Sequence, residues 1–189
     1  MQQTRRAFLT GFLAMPAVAA YAAETPLERL ALTPDCGEPT LSQTEGPYFT
    51  PNTPLKRDFR PDATDGSAIT IAGFVLTPDC KPAPKALIEL WHCSHEGEYD
   101  NEGFRLRGHQ FSDEQGRWWF ETIVPGVYPG RTRHFHVKVQ RPNGPVLTTQ
   151  LYFPNEVEND GDRIFDAALL LKLTEAPDGA FGRYDFVVA

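Results

Sequence analysis

Residues Arg131–Val139 read RTRHFHVKV, and the alternation of polar and apolar side chains from His134 onward is that of a β-strand. Side chains two apart on a strand project from the same face, so His134 and His136 stand side by side with Phe135 turned the other way. Two imidazoles placed in this way can chelate one metal ion without special backbone geometry. The same pattern also fits a solvated or hydrogen-bonded pair. Just upstream, Thr122–His134 read TIVPGVYPGRTRH, where Pro125, Gly126, Pro129 and Gly130 exclude regular helix around Tyr128. A rigid loop therefore leads Tyr128 into the histidine strand.

A phenol, with an ordinary pKa of about 10, becomes a useful ligand only when a strongly Lewis-acidic cation displaces its proton. Ferric iron meets that demand and zinc usually does not. With Tyr99 upstream, the four donors Tyr99, Tyr128, His134 and His136 suit one ferric ion, a site for oxygen chemistry rather than hydrolysis. Taken singly, Tyr128 reads first as a ring packed at a corner with its hydroxyl hydrogen-bonded, and the set of four donors weighs against that default.

Four segments carry a resemblance to a known family. They are SQTEGPYF at Ser42–Phe49, IELWHCSHEGEY at Ile88–Tyr99, the long run FRLRGHQFSDEQGRWWFETIVPGVYPGRTRHFHVKV at Phe104–Val139, and TTQLYF at Thr148–Phe153. In order and spacing they resemble the intradiol ring-cleavage dioxygenases, which include catechol and protocatechuate dioxygenases. The resemblance implies non-haem ferric iron held by Tyr99, Tyr128, His134 and His136. It implies that Tyr128 is the axial tyrosine that leaves the iron when substrate binds and Tyr99 the equatorial one that stays. His134 and His136 match the axial and equatorial imidazoles. Arg131 matches an arginine above the substrate ring, where a fixed cation stabilises developing carbanion character. Gln150 matches a polar residue near the iron, or is an ordinary strand glutamine. Gly46, Pro47 and Tyr48 match a stretch lining the substrate pocket, and read equally as a Gly-Pro turn with Tyr48 packed beneath it. The implied reaction joins a small catechol-type diol and O2, cutting the ring between its two hydroxyl-bearing carbons to give a muconate-type dicarboxylate.

Near its start, at Thr4–Ala23, the chain reads TRRAFLTGFLAMPAVAAYAA, in which Arg5 and Arg6 precede a short apolar stretch ending in the A-x-A sequence Ala20, Tyr21, Ala22. This reads as a twin-arginine export signal over residues 1–22, with a retained anchor as the alternative. That route carries folded proteins, which suits a cofactor inserted before transport, and places the protein in the periplasm or outside the cell. Residues 23–189 read as one catalytic domain, with no transmembrane segment beyond the leader and no internal repeat. Loss of residues 1–22 removes two arginines and no acid, taking the net charge from −7 to −9. Such acidity argues against a nucleic-acid partner.

The three cysteines cannot all pair within one chain. Cys36 and Cys80 each follow a Pro-Asp dipeptide in a turn-like segment and are the expected disulfide in an oxidising compartment, although spacing does not fix connectivity. Cys93 then stays reduced. With His92 and His95 it could be imagined as a separate zinc or copper site, but His92 and Cys93 point to opposite faces of a strand. His109 reads as a solvated loop residue.

Strand-like runs occur near 69–76, 86–91, 118–122, 134–139, 146–153 and 184–188, punctuated by Gly and Pro. They predict an all-β fold, an antiparallel β-sandwich with long loops carrying the metal site, and the resemblance implies the same. Trp118 and Trp119 read as core and edge packing, and residues 164–173 as a short helix or another strand. Within the family, catechol-cleaving members add a helical amino-terminal dimerisation segment, for which no room remains after the leader. Protocatechuate enzymes pair two related subunits, so an oligomer is compatible with the resemblance. Two other classes compete: a non-catalytic exported β-sandwich binding module, and a zinc hydrolase built on His134 and His136, which leaves both tyrosines unexplained.

Overall fold

The computed structural model describes residues 25–63 and 65–189, so the export signal expected at residues 1–22 lies outside the described residues. Among the described residues nine strands form two packed sheets. They are β1 Ala68–Leu76, β2 Leu87–Trp91, β3 Arg107–Phe111, β4 Arg117–Ile123, β5 His134–Gln140, β6 Val146–Tyr152, β7 Lys172–Ala176, β8 Gly179–Arg183 and β9 Phe186–Val187. One sheet runs β4-β1-β8-β7 with β9 added to β1, and the other runs β3-β2-β5-β6. Among the described residues the helical turns are short 3-10 segments, and no helix is long and apolar enough to cross a membrane.

The core lies between the sheets. Ile69, Ile71, Val75, Trp118 and Phe120 of the first sheet meet Ile88, Leu90, Phe135, Val137 and Leu151 of the second, all buried. Each such side chain taken from water contributes about 1.5–3 kcal/mol. β1 is covered on both faces, because its alternate residues Ala72, Phe74 and Leu76 pack beneath Leu27, Leu30 and Cys36 of the amino-terminal strap. A Cys36–Cys80 disulfide pins that strap to the turn after β1, the pairing anticipated from the two Pro-Asp turns.

The all-β, antiparallel-rich sandwich is the fold expected from the sequence, with β1 additionally pairing in parallel with β8 and β9. Several finer expectations need correction. The run at 184–188 contributes only the two residues of β9, and β3, β7 and β8 are additional strands. Residues 164–173 hold a single 3-10 turn, Ala167–Leu169, before β7 begins. His109 is in β3 rather than a loop, half-buried, with Nδ1 2.8 Å from the Thr53 carbonyl oxygen. Trp118 is fully buried, whereas Trp119 lies at the edge under the Arg57 guanidinium.

Candidate metal centre

The alternation in β5 directs Phe135, Val137 and Val139 into the core and leaves His134 and His136 on the outer face of the second sheet. Cross-strand register builds the floor there. Trp91, His136 and Gln150 form one row across β2, β5 and β6, and His134 faces Tyr152 in the next. Trp91 stacks on the His136 ring at 5.0 Å with the planes 7° apart.

The Nε2 atoms of His134 and His136 face each other at 3.1 Å. His134 Nδ1 lies 2.6 Å from the Thr132 carbonyl oxygen and donates to it, which leaves Nε2 as a bare lone pair. His136 Nδ1 is buried with no partner. Burial holds both imidazoles neutral: it pushes His134 down to about 4, helped by the Arg131 charge, and His136 well below the ordinary histidine value. Two ligands about 2.1 Å from one ion and at right angles lie about 3 Å apart. The observed spacing fits two adjacent ligands of a single cation.

Two loops bring the tyrosines over this pair. The segment carrying Tyr99 and the one carrying Tyr128 pack backbone to backbone, with Gly126 N donating to Ser94 O at 2.8 Å. A Cβ on Gly126 would lie 2.4 Å from His95 O, so only glycine permits the approach. The rings of Tyr99 and Tyr128 are then 6.2 Å apart, and Tyr99 is 6.0 Å from the His136 ring. Burial raises the Tyr99 phenol far above its ordinary value. A buried phenol of this kind ionises only against a strong cation, so two phenols and two neutral imidazoles fit ferric iron better than zinc.

The wall is the segment 41–48, laid along β6 by Gln43 N donating to Thr148 O and by Gln150 Nε2 donating to Thr44 O at 3.0 Å. Gly46 presses its backbone on the His136 ring, Pro47 turns the chain, and Tyr48 stacks on Tyr99 at 4.4 Å. The Tyr48 and Tyr128 hydroxyls are hydrogen-bonded. Arg131 reaches Gln150 Oε1 at 2.5 Å. The structure thus brings together Tyr99, Tyr128, His134, His136, Arg131, Gln150, Gly46 and Tyr48. It does not bring together His92, Cys93 and His95: both His92 ring nitrogens are engaged, by the Cys93 carbonyl and the Thr122 hydroxyl, while His95 is exposed.

Three contributors carry no signal of their own in the sequence. Arg107 is fully buried and donates to the carbonyl oxygens of Tyr48 and Asp100, tying the Tyr48 segment to the loop that carries Tyr99. Tyr152 donates to Gln43 Oε1 at 2.6 Å. Asp162 pairs with Arg131. An arginine inside a strand pattern is the sole hint for the first.

The family model for Dioxygenase matches residues 44–188, which contain every one of the site residues above. The chain belongs to the intradiol dioxygenase family. Members of this family use non-haem ferric iron. A solved relative is the dioxygenase domain of a dioxygenase–carbohydrate-binding protein fusion from the cellulolytic bacterium Streptomyces sp. SirexAA-E. It is 48% identical, with a TM-score of 0.78, over 80% of this chain and 98% of that one. The protocatechuate 3,4-dioxygenase beta chain of Burkholderia cepacia is 30% identical over 138 residues, 59% of this chain and 57% of its own. Catechol 1,2-dioxygenase 2 of Acinetobacter lwoffii is 29% identical over 133 residues, 57% of this chain and 48% of its own. The chain spans about half the length of the curated relatives it matches.

Proposed function

We propose that this protein is an exported intradiol dioxygenase that takes a catechol-type diol and O2 to a muconate-type dicarboxylate, cutting between the two hydroxyl-bearing carbons. The observation that carries the reading is the pair of facing Nε2 atoms of His134 and His136, 3.1 Å apart, with the Tyr99 ring 6.0 Å from His136 and the Tyr128 ring 6.2 Å from Tyr99. Ferric iron held by Tyr99, Tyr128, His134 and His136 would bind both diol oxygens and activate the ring towards O2. In this reading Tyr128 accepts a diol proton at its phenol oxygen, and the Tyr48 hydroxyl, 2.8 Å away, keeps the resulting phenol in place. Arg131 presents a cation to the ring carbon where negative charge develops. Tyr48 and Tyr99, stacked on each other, would line one side of the ring, and Gly46, lacking a side chain, keeps the edge of His136 uncrowded. Both atoms of O2 enter the product, so no external reductant is needed.

Export through a twin-arginine signal at residues 1–22 agrees with the Cys36–Cys80 disulfide, a bond suited to an oxidising compartment. Amino-terminal sequencing of the periplasmic or secreted protein checks this: a start at residue 23 is expected.

The test of function is the visible spectrum of the purified protein with metal analysis, before and after catechol is added without oxygen. A coloured iron protein whose band moves to longer wavelength with catechol, and which then consumes O2, is the expected result. A protein that stays colourless when iron is supplied removes the dioxygenase reading and leaves the binding module. Bound zinc with hydrolytic activity would favour the hydrolase.

A further inference from the structure

Arg131 lies on the loop between β4 and β5, where a long side chain samples many rotamers unless something fixes it. Its Nε donates to Asp162 Oδ2 at 2.8 Å. The same oxygen accepts from Thr132 N at 2.9 Å, and Asp162 Oδ1 accepts from Ile164 N at 3.1 Å. The Asp162 side chain is 1% exposed against 18% for Arg131, so the carboxylate is the buried anchor and the guanidinium the presented group. On its other edge the guanidinium meets only neutral oxygens, those of Gln150 at 2.5 Å and Tyr152 at 3.4 Å.

Asp162 is itself held. Thr132 Oγ1 donates to Asn159 Oδ1 at 2.7 Å, and Asn159 Nδ2 donates to Phe153 O at 3.0 Å, which ties the 157–164 segment to the end of the β5–β6 pair where β5 begins and β6 finishes. Thr132, whose amide Asp162 accepts, also supplies the carbonyl that orients His134. One buried carboxylate therefore grips the peptide between the proposed substrate-facing cation and a proposed metal ligand.

We infer that Asp162 is a positioning residue, aiming the Arg131 guanidinium across the face that carries His134 and His136. The inference rests on the functional reading above, since Arg131 matters to turnover only if a ring is cleaved there. It makes the 157–164 segment part of the site.

The test compares Asp162→Asn, Asp162→Glu, Arg131→Met and the Asp162→Asn/Arg131→Met pair, as the full chain loaded with iron. Asp162→Asn is expected to lower kcat for catechol about ten-fold with KM, iron content and the visible band of the resting protein nearly unchanged. In the Arg131→Met background the same change is expected to cost nothing further, because coupled residues are non-additive. Asp162→Glu keeps the charge but displaces it by a methylene, and a clear fall in kcat is expected there also. An undiminished ten-fold loss in the Arg131→Met background, an unchanged kcat in either single variant, or loss of iron in parallel with kcat would each overturn the assignment. Independently of turnover, the Arg131 Nε–H signal is followed by NMR with gallium(III) supplied in place of ferric iron. Slow exchange with solvent in the parent and fast exchange in Asp162→Asn is expected, and fast exchange in the parent overturns it. If no catechol is cleaved by the parent chain, the functional reading fails, and this exchange measurement still decides whether Asp162 holds Arg131.

Discussion

The hydroxyls of Tyr48 and Tyr128 are 2.8 Å apart although the residues are separated by 80 positions in the chain. Tyr48 is thus the hydrogen-bonding partner of the one phenol that the proposed reaction requires to move. Tyr48→Phe keeps the ring stacked on Tyr99 and removes only that partner. A fall in kcat of about ten-fold with full iron content is expected from steady-state kinetics and metal analysis. An unchanged kcat would leave Tyr48 as a wall residue alone.

Tyr128→Phe removes a proposed ligand while the Tyr99 ring and both histidines stay in place. Weaker iron retention and strongly slowed turnover are expected, read by chelator challenge and oxygen uptake. Near-normal activity would show that Tyr128 is not a ligand.

Gly46 has a φ of +70°, and a Cβ there would meet His136 Cε1 at 3.2 Å. Gly46→Ala therefore combines backbone strain of about 1–2 kcal/mol with pressure on the imidazole. Thermal unfolding should show that order of loss, and iron affinity should fall with it. An alanine variant with parental stability and iron content would mean that the segment yields freely.

Cys93 is 2% exposed, and burial pushes its thiol up to about 11. No reaction with a thiol reagent is expected in the native protein, one reactive thiol after unfolding, and three after reduction as well. The Cys36–Cys80 bond spans 44 residues, so the chain-entropy relation assigns it about 4 kcal/mol. The double serine variant should unfold earlier in denaturant by an amount of that order.

What could be read in advance depended on whether a residue's role was local. β5 was legible because its two faces have different tasks, apolar residues to the core and His134 and His136 to the site. β1 was legible as an apolar run buried on both faces. β7 reads KLTEA, a composition that favours helix, and β8 reads GAFGR with glycines at 179 and 182, so neither has strand propensity. β8 exists because β1 offers an edge for pairing, and β7 because β8 then offers the next edge. The proposed metal ligands stood out through residue type and spacing, whereas Arg131 and Gln150 entered only through the resemblance to the intradiol family. Asp162 did not stand out, since it sits in the run NEVENDGD, where composition cannot say which acid folds inward.

β1 is hydrogen-bonded to strands from two separate parts of the chain: β4, after the intervening β2 and β3, and β8 with β9, far downstream. The Phe74 amide donates to Asp185 Oδ1 across a sequence separation of 111. While the polypeptide is being made, the middle of this sheet is a raw edge, awaiting its neighbour until nearly all of the domain has emerged. Contacts closed across such a span form slowly. The nascent protein therefore depends on shelter, and the last strands act as a keystone: removing them would open the sheet at its centre rather than trim its margin.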